Sequence, residues 1–72
     1  MANEDIAVRF GRKLVKLRKA RNWTQGYLAV HSGLGRPYLS NLETGKKEPC
    51  LRVLEILADS FGVTLPNLLS RL

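Results

Sequence analysis

Hydrophobic residues recur at helical spacing along most of the chain, and turn-forming residues divide it into five segments. In the first segment, the apolar residues that share one helical face are Ile6, Phe10, Leu14 and Leu17. Asn3 is a suitable N-cap, and Glu4 and Asp5 suit the positive end of a helix. The pattern predicts a helix over about residues 4 to 21.

Two short helices are predicted next, with a sharp turn between them. Thr24 is a good N-cap for a helix over about residues 25 to 32. Gly33 can adopt the positive φ that a sharp stop and an immediate restart require. A third helix is predicted over about residues 36 to 44, where Pro37 is tolerated because it lies in the first turn.

Two further helices are predicted in the C-terminal third of the chain. Apolar residues show helical periodicity from Leu51 to Phe61, and Thr64 can cap a last helix. This last helix carries more apolar surface than so short a helix needs, on Leu65, Leu68, Leu69 and Leu72. The surplus predicts a dimer interface at these four leucines. Together the segments predict an all-α fold, a compact five-helix bundle that forms one domain over residues 1–72.

Charge and cysteine content limit the classes of protein to which the chain can belong. A domain of 72 residues has no room for a deep substrate cavity. The 12 Lys and Arg outnumber the 6 Asp and Glu, and this excess favours a polyanionic partner such as nucleic acid. Cys50 is the one cysteine, and neither a signal peptide nor an apolar run of membrane length is evident. We therefore expect a cytoplasmic protein.

The segment from Gln25 to Leu42 has the composition of two helices that cross at a short turn. Ala29 provides the small side chain needed where the helices approach, and Gly33 provides the turn. The outer face of the third helix carries mainly hydrogen-bonding side chains, on Arg36, Tyr38, Ser40, Asn41 and Thr44. Such a surface is suited to reading the edges of DNA bases.

At these residues the sequence resembles the helix-turn-helix family of lambdoid phage repressor and Cro proteins, also called XRE-type regulators. The matching positions begin at Phe10 and end at Val63, so the resemblance covers essentially the whole chain. The stretch from Ser32 to Ser40 is also similar to restriction-modification controllers. The resemblance implies a lambda repressor-like DNA-binding domain whose third helix enters the major groove.

The resemblance also implies a role for individual residues. The residues that match base-contacting positions, or lie on the same face, are Arg36, Pro37, Ser40 and Asn41. Contacts to the DNA backbone are expected from Thr24, Gln25, Tyr38, Thr44, Lys46 and Lys47. Arg18 and Glu43 match a structural ion pair that joins the first helix to the recognition helix.

Several residues have two interpretations at this stage. Tyr38 either lies exposed near the DNA backbone or packs against the core, whereas Phe10 and Trp23 are expected in the core. His31 is expected as an exposed helical residue. The basic face of the first helix is either a solvated surface or a source of long-range attraction for DNA.

These features predict a sequence-specific transcriptional regulator that binds double-stranded DNA as a homodimer on an inverted-repeat operator. The alternative is an antitoxin or another protein-interaction module whose DNA binding serves autoregulation. No enzyme activity is expected, because the chain carries no recognisable catalytic arrangement. His31 and Cys50 alone cannot form a tetrahedral metal site, and no cofactor, small-molecule ligand or membrane association is expected.

Overall fold

The computed structural model describes residues 4–72, which form five helices and no strand within a volume of 36 × 24 × 24 Å. The helices are α1 (Ile6–Ala20), α2 (Gln25–Ser32), α3 (Arg36–Glu43), α4 (Leu51–Phe61) and α5 (Leu65–Leu69). This arrangement confirms the predicted all-α, five-helix fold. Within the described part of the chain, no helix is both long and apolar enough to cross a lipid bilayer.

Helix α1 is shorter than the predicted span at both ends. Its N-cap is Asp5, whose carboxylate accepts a hydrogen bond from the backbone N–H of Ala7 over 2.7 Å. The predicted cap, Asn3, lies outside the described residues. Asp5 satisfies a donor in the first turn that has no partner within the helix, so the helix begins at Ile6.

The turn between α2 and α3 follows the predicted local chemistry. The Thr24 hydroxyl oxygen caps α2 by accepting a hydrogen bond from the backbone N–H of Tyr27 over 3.0 Å. Gly33 ends α2 in the left-handed conformation with a φ of 77°. Helix α3 has no side-chain cap because Gly35 precedes it, and Pro37 lies in its first turn. The bounds of α2 agree with the prediction, and α3 ends one residue earlier than predicted.

Every helix contributes at least one fully buried leucine to a single core. These leucines are Leu14 of α1, Leu28 of α2, Leu39 and Leu42 of α3, Leu57 of α4 and Leu68 of α5. Burying a side chain of this size stabilises the folded state by about 1.5–3 kcal/mol. Phe10 and Phe61 complete the core, and Trp23 packs against it with its ring stacked on Phe61 at a centroid separation of 5.4 Å.

Two apolar positions differ from their predicted environments. Ile6 shares the predicted apolar face of the first helix but is 58% exposed, because the buried stripe of α1 begins at its neighbour Ala7. Leu68 was expected at a dimer interface but has no exposed surface in the monomer. Its prediction was wrong because α5 packs against α4 with the Leu68 side of the helix facing the core.

Helix α1 meets the end of α3 at Gly11, through backbone rather than side chains. A Cβ atom at Gly11 would lie 2.5 Å from the carbonyl oxygen of Glu43 and 2.6 Å from that of Leu42. Both distances are far below van der Waals contact, so only glycine permits this approach. The close approach fixes α3 against α1 and thereby positions the outward face of α3.

Two basic side chains of the α1 region cap the ends of other helices. The ammonium group of Lys13 donates hydrogen bonds to the carbonyl oxygens of Asn67 (3.1 Å) and Ser70 (2.7 Å) at the end of α5. The guanidinium group of Arg21 donates to the carbonyl oxygen of Phe61 at the end of α4 over 2.7 Å. A cation near the C-terminus of a helix also interacts favourably with the helix dipole. Part of the basic composition of α1 is therefore structural.

Candidate nucleic-acid interface

The outward face of α3 is polar and is held in place by leucines on its opposite side. Leu39 and Leu42 are fully buried, so the positions on the opposite side of the helix, about half a turn around its axis, face solvent. The exposed or half-buried residues on that side are Arg36, Pro37, Ser40, Asn41 and Thr44. The structure therefore brings together the four residues predicted to contact bases.

The hydrogen-bonding groups on this face are available for a ligand. Within residues 4–72, the side chains of Arg36, Ser40 and Asn41 make no hydrogen bond to the protein. A guanidinium group and a carboxamide can each form paired hydrogen bonds with a base edge. Pro37 is exposed beside them and offers only an apolar contact surface.

The start of α2 provides a site for an anion next to this face. The first backbone N–H groups of a helix have no partner within the helix, and the helix dipole favours negative charge there. Thr24 uses its oxygen as the cap, which leaves its hydroxyl proton free to donate. Gln25 is the first residue of α2, so both predicted backbone-contacting residues lie at this end of the helix.

A hydrogen-bonded cluster joins the start of α2 to the end of α3. Arg18 donates from Nε to Glu43 Oε2 over 2.7 Å and from Nη2 to Glu43 Oε1 over 3.1 Å. Gln25 Nε2 donates to the same Oε1 over 2.9 Å, and Arg18 Nη1 donates to the carbonyl oxygen of Trp23 over 2.9 Å. The side chains of Arg18 and Glu43 are only 13% and 5% exposed. The cluster holds three helices in one fixed arrangement.

The remaining predicted backbone-contacting residues surround the end of α3. Lys46 and Lys47 are exposed, and their backbone N–H groups donate to the carbonyl oxygen of Asn41 over 2.9 and 3.3 Å. These bonds fix the loop that carries both ammonium groups. The Thr44 hydroxyl donates to the carbonyl oxygen of Ser40 over 2.9 Å, so a phosphate would have to compete with that bond.

Tyr38 is half-buried and packs against the core, which agrees with one of its two predicted environments. Burial raises the pKa of its phenol, because the charged phenolate is less well solvated there, and Cys50 raises the pKa further. The hydroxyl therefore remains protonated at neutral pH. It is a hydrogen-bond donor, as a contact to phosphate requires.

Three of the four predicted dimer residues line two surface grooves, whereas Leu68 is buried in the core. Leu69 and Leu72 line one groove together with Ile6 and Leu54. Leu65 lines a second groove, and Leu51, which is 74% exposed, lies in the same groove. The sequence prediction did not assign Ile6 and Leu51 to a surface groove, because their helical spacing placed both in the apolar pattern of their helices.

Comparison with known proteins identifies a family for this arrangement of helices. The helix-turn-helix profile HTH_3 matches residues 14–68. The chain is 42% identical over 67 residues to the control protein C.MunI of a Mycoplasma species, covering 92% of this chain and 90% of that protein. It is also 37% identical over 59 residues to the transcriptional regulator AnsR of Bacillus subtilis, covering 82% of this chain and 51% of AnsR.

Solved structures show the same arrangement. The restriction-modification controller protein C.AhdI of Aeromonas hydrophila superposes with a TM-score of 0.82 at 34% identity, covering 86% of this chain and 94% of C.AhdI. The clp gene regulator ClgR of C. glutamicum superposes with a TM-score of 0.86 at 27% identity, covering 93% of this chain and 87% of ClgR. These relatives are regulators and controllers rather than enzymes. The chain therefore belongs to the XRE-type helix-turn-helix family that its sequence resembles.

Proposed function

We propose that the chain is a transcriptional regulator that binds double-stranded DNA with sequence specificity in the cytoplasm. The observation that carries this proposal is the outward face of α3, where Arg36 and Asn41 present unpaired hydrogen-bonding groups beside the anion-favouring start of α2. A helix in this position fits the major groove, and the preceding helix then lies across the DNA backbone. The names of the relatives support the same class of function.

The chemistry of each side chain suggests which part of the DNA it contacts. Arg36 can donate two hydrogen bonds to O6 and N7 of a guanine, and Asn41 can bond N6 and N7 of an adenine. Pro37 can contact the methyl group of a thymine, and Ser40 lies beside it on the same face. The phosphate contacts are assigned to Thr24, Gln25, Tyr38, Thr44, Lys46 and Lys47.

We further propose that two copies bind an inverted-repeat operator. One recognition helix reads only a few base pairs, whereas two copies related by two-fold symmetry place their half-sites about 34–36 Å apart, one turn of DNA. The groove formed by Ile6, Leu54, Leu69 and Leu72 supplies the apolar surface for such pairing. Ile6 and Leu69 are 58% and 38% exposed in the monomer, so a partner would remove apolar area from water.

Among regulators, the controller proteins are matched over nearly their whole length. This chain covers 90% of C.MunI and 94% of C.AhdI, both of which are named as control or controller proteins. It covers only 51% of AnsR, so that regulator contains a large region outside the match. We therefore propose that the chain serves as a controller of transcription.

Selection of bound duplexes from a random library at physiological salt tests this function directly. The proposal expects an enriched inverted repeat with half-site centres about 10–10.5 base pairs apart, or a multiple of that spacing. If binding is salt-sensitive but no motif is enriched, the positive charge supplies only nonspecific affinity and sequence-specific regulation is wrong. That outcome would favour the protein-interaction alternative, in which DNA binding is secondary.

A further inference from the structure

A basic groove runs along α1 on the surface beside the last residues of the described chain. Its charged lining is entirely positive and consists of Arg9, Arg12, Lys13, Lys16, Lys19 and Arg71. The rest of the lining is apolar, and no aspartate or glutamate contributes to it. We refer to this surface as the α1 basic groove. It holds six of the 12 Lys and Arg residues of the chain, whereas the candidate interface around α3 holds three, Arg36, Lys46 and Lys47.

Three cations of the groove have no partner within residues 4–72. Lys13 binds carbonyl oxygens at the end of α5, and Arg12 pairs with Glu4. By contrast, Lys16, Lys19 and Arg71 are exposed and form no ion pair or side-chain hydrogen bond in the described part of the chain. Their charge is uncompensated, and it makes no contact that stabilises the fold.

The α1 basic groove faces away from α3. Helix α1 contacts α3 through Gly11 and Arg18. At 3.6 residues per turn, Lys16 is rotated around α1 by about 140° from Gly11 and by about 160° from Arg18, and Lys19 is rotated by about 80° and 100° from the same two residues. A duplex whose major groove receives α3 would therefore lie on a different side of the molecule from the groove.

The row of cations is long enough to follow several phosphates of a nucleic-acid backbone. Basic residues recur every three or four positions from Arg9 to Lys19, over a helix length of about 15 Å. Phosphates along one strand of a duplex advance by about 3.4 Å each, so this length spans about four of them. Protein interfaces are usually anchored by aromatic residues, and the lining of this groove contains none. The charge pattern thus favours DNA over an acidic protein.

We infer that the α1 basic groove binds the phosphate backbone of a second DNA duplex, independently of its sequence, while α3 faces the first. One molecule could then hold two DNA segments together. The affinity of this second site would depend strongly on salt, since it arises from phosphate contacts and the release of counterions.

A capture experiment with the full chain tests the inference. A 30-base-pair duplex of arbitrary sequence is immobilised, protein is added, and capture of a second, labelled duplex is measured as the salt concentration is varied. The groove variant combines Lys16→Gln, Lys19→Gln and Arg71→Gln, and its circular dichroism melting curve should equal that of the wild type. The control variant Arg36→Gln, Lys46→Gln, Lys47→Gln removes the same charge from the candidate interface.

The wild type should capture the second duplex, and the groove variant should reduce this capture at least tenfold. The log–log salt slope of capture should fall by about 2.7, because each contacted phosphate contributes about 0.9. Binding of the groove variant to the immobilised duplex should stay within threefold of wild type, because the face of α3 is unchanged. The control variant keeps the groove, so it should also bind the immobilised duplex but should not capture a second one.

Three results would overturn the inference. The groove variant could capture the second duplex as well as the wild type does. The wild type could capture no second duplex, yet bind poly-L-glutamate through the same three residues, which would assign the groove to an acidic protein. The salt slope of binding to the immobilised duplex could also be lower in the groove variant, although the wild type captures no second duplex. That result would show that the three cations contact the first duplex. None of these results would alter the motif obtained by library selection, so the operator proposal stands or fails separately.

Discussion

The side-chain amide of Gln25 donates a hydrogen bond to Glu43 Oε1 over 2.9 Å, and this contact links the first residue of α2 to the last residue of α3. A carboxylate only accepts hydrogen bonds, so the NH₂ group of the amide must face Glu43. One N–H of that group remains available for a phosphate. The same contact therefore orients a predicted backbone-contacting side chain and fixes α3 relative to it.

The first prediction concerns the ion pair behind this contact. Glu43→Ala leaves Arg18, which is only 13% exposed, without its counter-charge. We expect the free energy of unfolding to fall by about 3 kcal/mol, at the lower end of the cost of breaking a buried pair. Urea denaturation measures the loss. The double variant Arg18→Ala, Glu43→Ala should lose less than the sum of the two single changes, and strict additivity would contradict a direct interaction.

The close approach at Gly11 predicts a large effect from a single methyl group. Gly11→Ala places a Cβ atom 2.5 Å from a backbone carbonyl oxygen that cannot rotate away. We expect a loss of about 1–3 kcal/mol in stability, as in other overpacked cores, measured by thermal and urea denaturation. The matched control is Gly26→Ala in α2, where the nearest atom is 3.8 Å away. That change should stabilise the protein by about 0.4–1 kcal/mol, and equal effects at the two glycines would refute the assignment.

Base and phosphate contacts predict different responses to mutation. Arg36→Ala should weaken binding to the selected operator by about 1–3 kcal/mol and relax the preference at one base position. Lys46→Ala should weaken binding to all sequences alike and lower the salt slope by about 1. Fluorescence anisotropy on the operator and on single-base variants separates the two responses. The control Arg52→Ala changes an exposed cation of α4 outside the candidate interface and should alter neither quantity. A uniform loss from Arg36→Ala would show that it does not read a base.

Adjacent leucines of α5 should have separate effects on folding and assembly. Leu68→Ala opens a cavity in the core, so we expect a stability loss of about 2–5 kcal/mol. Leu69→Glu puts a charge on the surface of the apolar groove and should convert the proposed dimer to a monomer with little change in folding. Analytical ultracentrifugation at micromolar concentration measures the assembly. Val30→Glu is the control, because Val30 is 86% exposed on α2 and lies outside both grooves. A wild-type monomer, both free and on operator DNA, would refute the dimer.

Ionisation of Tyr38 predicts a change in stability at alkaline pH. Burial, and to a lesser extent Cys50, raises its pKa in the folded state above the ordinary value near 10. The folded protein then retains a proton that the unfolded chain releases. The contribution of Tyr38 to stability is thus complete below pH 10 and declines as the pH rises toward its folded pKa. In Tyr38→Phe, this alkaline decline in the free energy of unfolding should be absent. In a pH titration followed by phenolate absorbance, the variant should also lose the later phase, which occurs at higher pH. An unchanged late phase would assign it to another group.

Local chemistry accounts for the parts of the structure that the sequence predicts well. The helix ends at Thr24, Gly33 and Thr64 depend on a side-chain cap or a positive φ, which act over only a few residues. The outward face of α3 lies opposite Leu39 and Leu42, and the helical spacing of these leucines predicts that they are buried. These signals require no knowledge of how the helices pack.

The remaining features depend on how separate helices meet. Leu68 and Leu69 are neighbours of the same type, and only the packing of α5 on α4 buries one and exposes the other. The roles of Gly11, Gln25 and Lys13 depend on partners 18 or more residues away in the chain. Periodicity shows which side of a helix is apolar, but it does not show which helix lies against that side. Tertiary packing decides these contacts because they arise from close approach between distant segments, whereas caps and apolar faces are properties of each segment alone.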